Sequence, residues 1–247
     1  MNFFSLYKRK FIFFLKKKIN IDLEKDAKKL SLEDLFIKYG SDKASYWNGK
    51  NLGHGYTKFY LKHFNKIKNK KINILEIGSY AGASAAAFSK FFSKASIYCI
   101  DINISNFKYY SKKINIFGLD ATKTKSVKKF INKISKKKNK ISFDIIIDDG
   151  SHILGDILKS LRIFFKYLKK NGYYVIEDFK HPNYLKHLDT IGEYKVDKLI
   201  TSIKEKRLIK SNILEIAFQK QLFKSIKYIK FFKGNSKLSN ILFLKKN

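Results

Sequence analysis

Apolar residues along this chain follow two alternating rhythms. Continuous apolar runs at Ile72 to Ile77, Ser96 to Ile102, Ile114 to Leu119, Phe143 to Ile147 and Tyr173 to Ile176 predict strands buried on both faces. Between them, Ala83 to Phe92, Thr124 to Ser135 and Leu154 to Leu168 carry helical spacing. This alternation predicts an α/β fold with a doubly wound, mostly parallel sheet. Upstream, Ser31 to Lys38 reads as a short helix with acids near its start, Gly40 to Gly55 as a polar stretch, and Tyr56 to Ile67 as a second helix. Downstream, a helix is expected between Ile191 and Gln221. The chain then alternates through Ser225 to Phe232, turns around Gly234 and Asn235 and returns through Asn240 to Leu244. That is an antiparallel pair at the sheet edge, bringing the expected strands to seven. Three regions follow: a basic amphipathic N-terminal segment over 1–30, a helical cap or lid segment over 31–70, and the main domain over 71–247.

With 247 residues, 45% of them hydrophobic, the chain has enough apolar material for one sizeable core. The formal net charge of +33 is a field that would gather polyanions. Lysine is scattered along the whole chain beside Ile, Phe, Tyr and Asn, which reads as compositional drift more than a dedicated patch. The runs Lys66 to Lys71 and Lys136 to Lys140 are assigned to loops or helix ends. A single cysteine, Cys99 in an apolar run, excludes an internal disulfide and a cysteine metal cluster and fits a reducing, cytoplasmic compartment. Met1 to Lys18 interleaves Phe3, Phe4, Tyr7, Phe11, Phe14 and Leu15 with Lys8, Arg9, Lys10 and Lys16 to Lys18. Those cations break the apolar run far short of the ~20 residues a bilayer span needs. The segment predicts an amphipathic helix resting either on the domain or on an anionic membrane, at its inner face.

Candidate chemistry sits at the strand ends. In Leu75-Glu76-Ile77-Gly78-Ser79-Tyr80-Ala81-Gly82-Ala83-Ser84, the glycines Gly78 and Gly82 let the backbone bend and approach a ligand, and the helix start presents free N–H groups. The pattern is not the dinucleotide fingerprint, which needs Gly-x-Gly-x-x-Gly. Asp101 ends the next strand, where a carboxylate can accept both hydroxyls of a ribose, and Asp120 follows the strand after it, near the place of an adenine. Further on stand Asp148-Asp149-Gly150-Ser151-His152 and Glu177-Asp178. With 20 acids in the chain, chance would put about three between Asp144 and Asp178, yet six occur there. Close carboxylates repel unless a cation compensates them, so Asp149, Glu177 and Asp178 are candidate oxygen ligands for Mg²⁺ or another hard divalent cation.

Together, Ile74 to Ser84, Asp101, the Asp-Asp-Gly-Ser-His run and Tyr174-Val175-Ile176-Glu177-Asp178 resemble the class I S-adenosylmethionine-dependent methyltransferases. Within these they resemble the metal-dependent sugar O-methyltransferases of macrolide and surface-glycan pathways. Tyr39-Gly40-Ser41-Asp42-Lys43 and His54-Gly55-Tyr56-Thr57-x-x-Tyr60 are similar to the segment that precedes the cofactor domain in the same group, with Ser41 standing where threonine is common. The resemblance spans roughly Lys38 to Asp178. It implies a Rossmann-like methyltransferase fold and S-adenosylmethionine as cofactor. Glu76, Gly78, Gly82 and Ser84 would lie around the cofactor's amino acid part, Asp101 on its ribose, and Asp120 and Tyr56 on the same ligand. It further implies Mg²⁺ on Asp149, Glu177 and Asp178, with His152 as the base acting on a sugar or glycan hydroxyl, nucleotide- or lipid-linked.

A sugar hydroxyl titrates far above neutrality, so a cation and a base are what it needs to attack a sulfonium methyl. The alternative from another class is an RNA-binding protein or RNA methyltransferase using the basic surface. Its amino-methylating form is excluded, because the Pro-Pro site it uses cannot exist in a chain whose one proline is Pro182. A non-haem iron oxidoreductase would take two histidines and one carboxylate, against the all-oxygen set expected here. His181 is placed near the substrate, His54 near cofactor or acceptor, and Tyr46 and Trp47 in a lid, a sugar platform or a buried loop.

Overall fold

The computed structural model describes residues 3–135 and 140–247. The run Lys136 to Lys140 thus falls outside the described residues except for its last member. Two compact units emerge, Met1–Ala121 with Gly234–Ser236, and Thr122–Lys233 with Lys237–Asn247.

In the first unit, helix α1 (Phe3–Leu15) is followed by α2 (Leu32–Tyr39) and α3 (Thr57–Phe64). Ser31 caps α2, its hydroxyl accepting from the Asp34 N–H at 3.2 Å, and Gly40 closes the helix at φ 76°, in the left-handed region that glycine adopts without cost. The buried positions Leu32, Leu35, Phe36 and Tyr39 fall one helical turn apart, forming a stripe. Phe36 and Tyr60 each meet Phe88 edge-on at 5.3 Å, fixing α2 and α3 against helix α4 (Ala83–Phe91). Strands β1 (Ile72–Ile77), β2 (Ala95–Asp101) and β3 (Ile114–Gly118) lie parallel in the order β3-β2-β1. Their alternate and often consecutive burial is that of a sheet covered on both faces. A short parallel ladder of Ile19–Asn20 with Tyr109–Tyr110 ties the N-terminal segment to this unit, a pairing the residue pattern did not suggest.

The second unit contains α5 (Thr124–Ile134), β4 (Phe143–Asp148), α6 (Leu154–Phe164), β5 (Leu168–Glu177), α7 (His181–Tyr184), α8 (Val196–Glu205), α9 (Ile216–Ser225), β6 (Ile226–Lys233) and β7 (Asn240–Lys246). Its strands run β4-β5-β7-β6. Strands β4 and β5 are parallel, whereas β7 is antiparallel to both β5 and β6. The expected antiparallel pair is therefore present, with the last strand inserted between β5 and β6. Parallel strands alternating with helices, closed by an antiparallel pair, make this a doubly wound α/β fold of seven sheet strands among the described residues. The single helix expected between Ile191 and Gln221 is two, α8 and α9, separated at Lys206, which takes φ 52° where glycine usually ends a helix.

Candidate active site

The first unit carries one set of candidate residues. Glu76 occupies the penultimate position of β1, is 1% exposed, and accepts a short hydrogen bond from the Ser84 hydroxyl in the first turn of α4. Between them the backbone turns through Gly78 (φ 82°), Tyr80 (φ 41°) and Gly82 (φ 78°). The Gly78 N–H donates to the Ile100 carbonyl at 2.9 Å, locking the loop to the end of β2. Asp101 closes that strand and holds the loop from the other side, Oδ2 accepting from the Tyr80 N–H at 2.8 Å and Oδ1 from the Asn103 N–H at 2.6 Å. Each carboxylate oxygen has a second lone pair, so Asp101 is oriented by the backbone and still able to accept from a ligand. Asp120 is half-buried just beyond β3, with the Leu119 N–H donating to the Asp101 carbonyl at 3.0 Å.

A Cβ on Gly82 would come 2.3 Å from the buried Phe107 ring. Gly82→Ala is therefore expected to combine left-handed strain with a clash, costing about 1–3 kcal/mol, visible as a lower urea midpoint with unchanged slope.

The two upstream motifs also come together here. The N–H groups of His54, Gly55 and Tyr56 donate to the carbonyls of Asp42, Ala44 and Lys43 at 2.6, 2.9 and 2.8 Å. Tyr56 is wholly buried and stacked on His54 at 5.1 Å, Lys43 is 1% exposed, and the buried Thr57 Oγ1 has no hydrogen-bond partner. His54 Nε2 lies 3.6 Å from Asp42 Oδ2. Burial pushes the Asp42 carboxyl up, but His54 and the Lys43 charge outweigh it and bring it to about 2, below the ordinary 3.8. A depressed carboxylate stabilises the fold above its unfolded value, and that contribution disappears as pH falls through the folded value. The stability lost in Asp42→Asn is thus expected to be constant above about pH 4 and to vanish toward pH 2 in urea titrations at successive pH values.

The second unit carries the other set. Consecutive residues at a strand end point to opposite faces, which separates the two adjacent aspartates. Asp148 turns into the core, 4% exposed, accepting from the Ser160 hydroxyl and, at 3.4 Å, from Tyr174. Burial pushes its carboxyl up to about 6, against the opposing pull of the Ser160 hydroxyl and His152. Asp149 is instead partly open, with Oδ1 3.9 Å from His152 Nε2. Glu177 ends β5 and Asp178 follows it, the two being 2% and 4% exposed. The Asp178 N–H donates to the Asn240 carbonyl of β7 at 2.7 Å.

Asp178 Oδ1 is 3.8 Å from His181 Nε2, and the His181 ring stands edge-on to His152 at 4.9 Å. Ligand atoms of His152, Asp178 and His181 all lie within 4.8 Å of one another. The donor set brought together among the described residues is therefore one carboxylate, Asp178, with two imidazoles, and not the all-oxygen set of Asp149, Glu177 and Asp178 expected from the sequence. Carboxylates with imidazoles suit a divalent cation, the carboxylates favouring Mg²⁺ and the imidazoles broadening the range toward Mn²⁺ and Zn²⁺. The sequence offers a signal for His181, because Asp149-x-x-His152 and Asp178-x-x-His181 repeat one spacing. His152 (φ 56°) and Asp178 (φ 51°) also share left-handed backbone, an arrangement that costs energy and tends to gather where a site requires it.

Residues 75–179 match the family described as a methyltransferase domain. Among curated proteins, the chain is 29% identical over 154 residues to L-olivosyl-oleandolide 3-O-methyltransferase of Streptomyces antibioticus, covering 60% of this chain and 36% of that protein. It is 28% identical over 159 residues to mycinamicin VI 2''-O-methyltransferase of Micromonospora griseorubida, covering 62% and 37%. The chain thus spans little more than a third of the length of these relatives. The MycE methyltransferase of the mycinamycin biosynthetic pathway, solved with Mg and SAH, superposes with a TM-score of 0.67 at 22% identity, over 88% of this chain and 55% of that one. That likeness establishes the fold.

Proposed function

We propose that the chain is an S-adenosylmethionine-dependent O-methyltransferase acting on a hydroxyl of a sugar or glycan in the cytoplasm, with Mg²⁺ or another hard divalent cation. The observation that carries this reading is Asp101, held at the end of β2 by the N–H groups of Tyr80 and Asn103 beside the Gly78 to Gly82 turn. A carboxylate so oriented can accept from two vicinal hydroxyls, as a ribose presents, while the start of α4 offers free N–H groups to an anionic carboxylate. Glu76 and Ser84 take the amino acid end, Gly78 and Gly82 allow close backbone approach, and Asp120 and Tyr56 complete the cofactor-binding set. The domain reading follows: 31–70 as a cap over a methyltransferase domain at 71–247, preceded by the basic segment 1–30.

Asp149, Glu177 and Asp178 would hold the cation, which supplies Lewis acidity that lowers the pKa of an acceptor hydroxyl. His152 would take the proton from that hydroxyl at Nε2. S-adenosylmethionine, when bound, would supply the methyl group, the electron pair of its S–CH₃ bond staying on sulfur. Asp149, beside His152, stabilises the imidazolium that results. The acceptor is a sugar or glycan, nucleotide- or lipid-linked; O-methylation of sugar-bearing molecules is what the names of the curated relatives describe.

The test incubates the protein with methyl-labelled S-adenosylmethionine and pools of nucleotide sugars, glycolipids and RNA, with chelator and with Mg²⁺ restored. Label is expected in a glycan fraction, lost on chelation and regained with Mg²⁺. Label in RNA alone would overturn the acceptor class. Turnover requiring Fe²⁺ and oxygen instead would point to the two imidazoles and carboxylate serving an iron site.

A further inference from the structure

Helix α1 lies on the first unit with its apolar side turned out. Arg9 Nη1 donates to the Ile102 carbonyl at 3.2 Å, and Lys16 Nζ to the carbonyls of Ser105 and Asn106 at 3.2 and 3.3 Å. Cations thus anchor the helix to the domain, against the usual arrangement in which a surface helix buries its apolar stripe. Tyr7, Phe11, Phe14 and Leu15, at i, i+4, i+7 and i+8, form one stripe and are 56%, 64%, 77% and 70% exposed. Beyond the helix, Ile19 and Leu23 are 55% and 77% exposed. Exposed apolar surface of this kind marks an interaction site on a protein otherwise covered by charge.

We propose that this face docks into the interface of an anionic lipid bilayer. The charge around it selects that occupant. Of the neighbouring cations Lys8 and Lys17 are exposed beside the stripe, while Arg9, Lys16 and Lys18 turn to backbone carbonyls, and no acid precedes Asp22 in the chain. A second copy would bring one positive rim against another, on molecules that each carry +33. Aromatic and aliphatic side chains inside a basic rim are what a helix lying in the headgroup region presents, apolar face sunk among acyl chains and cations among headgroups. No helix among the described residues is long and apolar enough to cross a membrane, so the contact is interfacial. The inference stands apart from the methyl-transfer reading, though a lipid-linked acceptor would be presented at the same surface.

The experiment is sedimentation of the full chain with vesicles of phosphatidylcholine alone and with about one quarter phosphatidylglycerol. It compares the native protein with a variant carrying Phe11→Ser, Phe14→Ser and Leu15→Ser together. These side chains are exposed and the variant retains every charge, so circular dichroism should match the native protein. Binding only to the anionic vesicles is expected, with the lipid concentration at half-binding raised about tenfold or more in the variant. A Phe14→Trp protein should show a blue-shifted emission on the anionic vesicles. Equal binding of variant and native protein would mean charge alone is responsible and would overturn the proposal, as would no binding. A native dimer that the triple variant abolishes, seen by sedimentation velocity, would assign the face to a second copy instead.

Discussion

His152→Asn is expected to lower methyl transfer by about 10²–10⁴-fold while S-adenosylmethionine binds within about threefold of its native affinity. Asparagine tolerates the left-handed backbone that His152 adopts and keeps a polar side chain of similar reach, so the fold is preserved and only the proton acceptor is lost. The magnitude is that of a general base acting on a hydroxyl whose own pKa lies far above neutrality. His181→Asn provides the contrast. His181 meets Asp178 and the His152 ring, and its loss should act through metal binding or the setting of His152. The defect should then be smaller and responsive to metal concentration. Single-turnover rates and isothermal titration of both variants separate the two roles. Equal loss of rate in both, with no metal dependence, would remove His152 from its assigned place.

The second large effect is at Asp101. Asp101→Ala is expected to weaken S-adenosylmethionine binding by about 10²–10⁴-fold, because two charge-assisted hydrogen bonds to the ribose are worth about 1.5–3 kcal/mol each. The same substitution frees the Tyr80 and Asn103 N–H groups, loosening the loop that should receive the amino acid end. Asp101→Asn keeps one acceptor and should fall between, at about tenfold. An affinity unchanged in the alanine variant would show that the carboxylate serves only as a turn-forming cap.

Much of this architecture is legible in the residues because local and tertiary preferences agree. Continuous apolar runs such as Ile72 to Ile77 and Phe143 to Ile147 can be satisfied only in the interior of a covered sheet, and their carboxyl ends are where Gly78 and Asp149 stand. The break between α8 and α9 carries no glycine or proline. Lys206 takes the left-handed position, and the connecting segment is held by the Gln219 side chain, which donates to the Ile209 and Leu214 carbonyls at 2.9 and 2.7 Å. Those are tertiary interactions without a local signature. The repeated Asp-x-x-His spacing marks His181, but its approach to His152 depends on the neighbouring strands β4 and β5, so the sequence alone assigns it no partner. The reversed face of α1 was equally hidden. Periodicity shows that the stripe exists, but which side meets the domain is decided by carbonyls at Ile102, Ser105 and Asn106, about ninety residues away.

The Gly78 to Gly82 turn and Asp101 are the proposed binding site for S-adenosylmethionine. Isothermal titration of the purified chain with S-adenosylmethionine and S-adenosylhomocysteine, with Mg²⁺ and with chelator, tests it most directly. One site of micromolar affinity for both ligands is expected, retained in chelator and lost in Asp101→Ala. No heat of binding from the native protein with either ligand, in either condition, would contradict it.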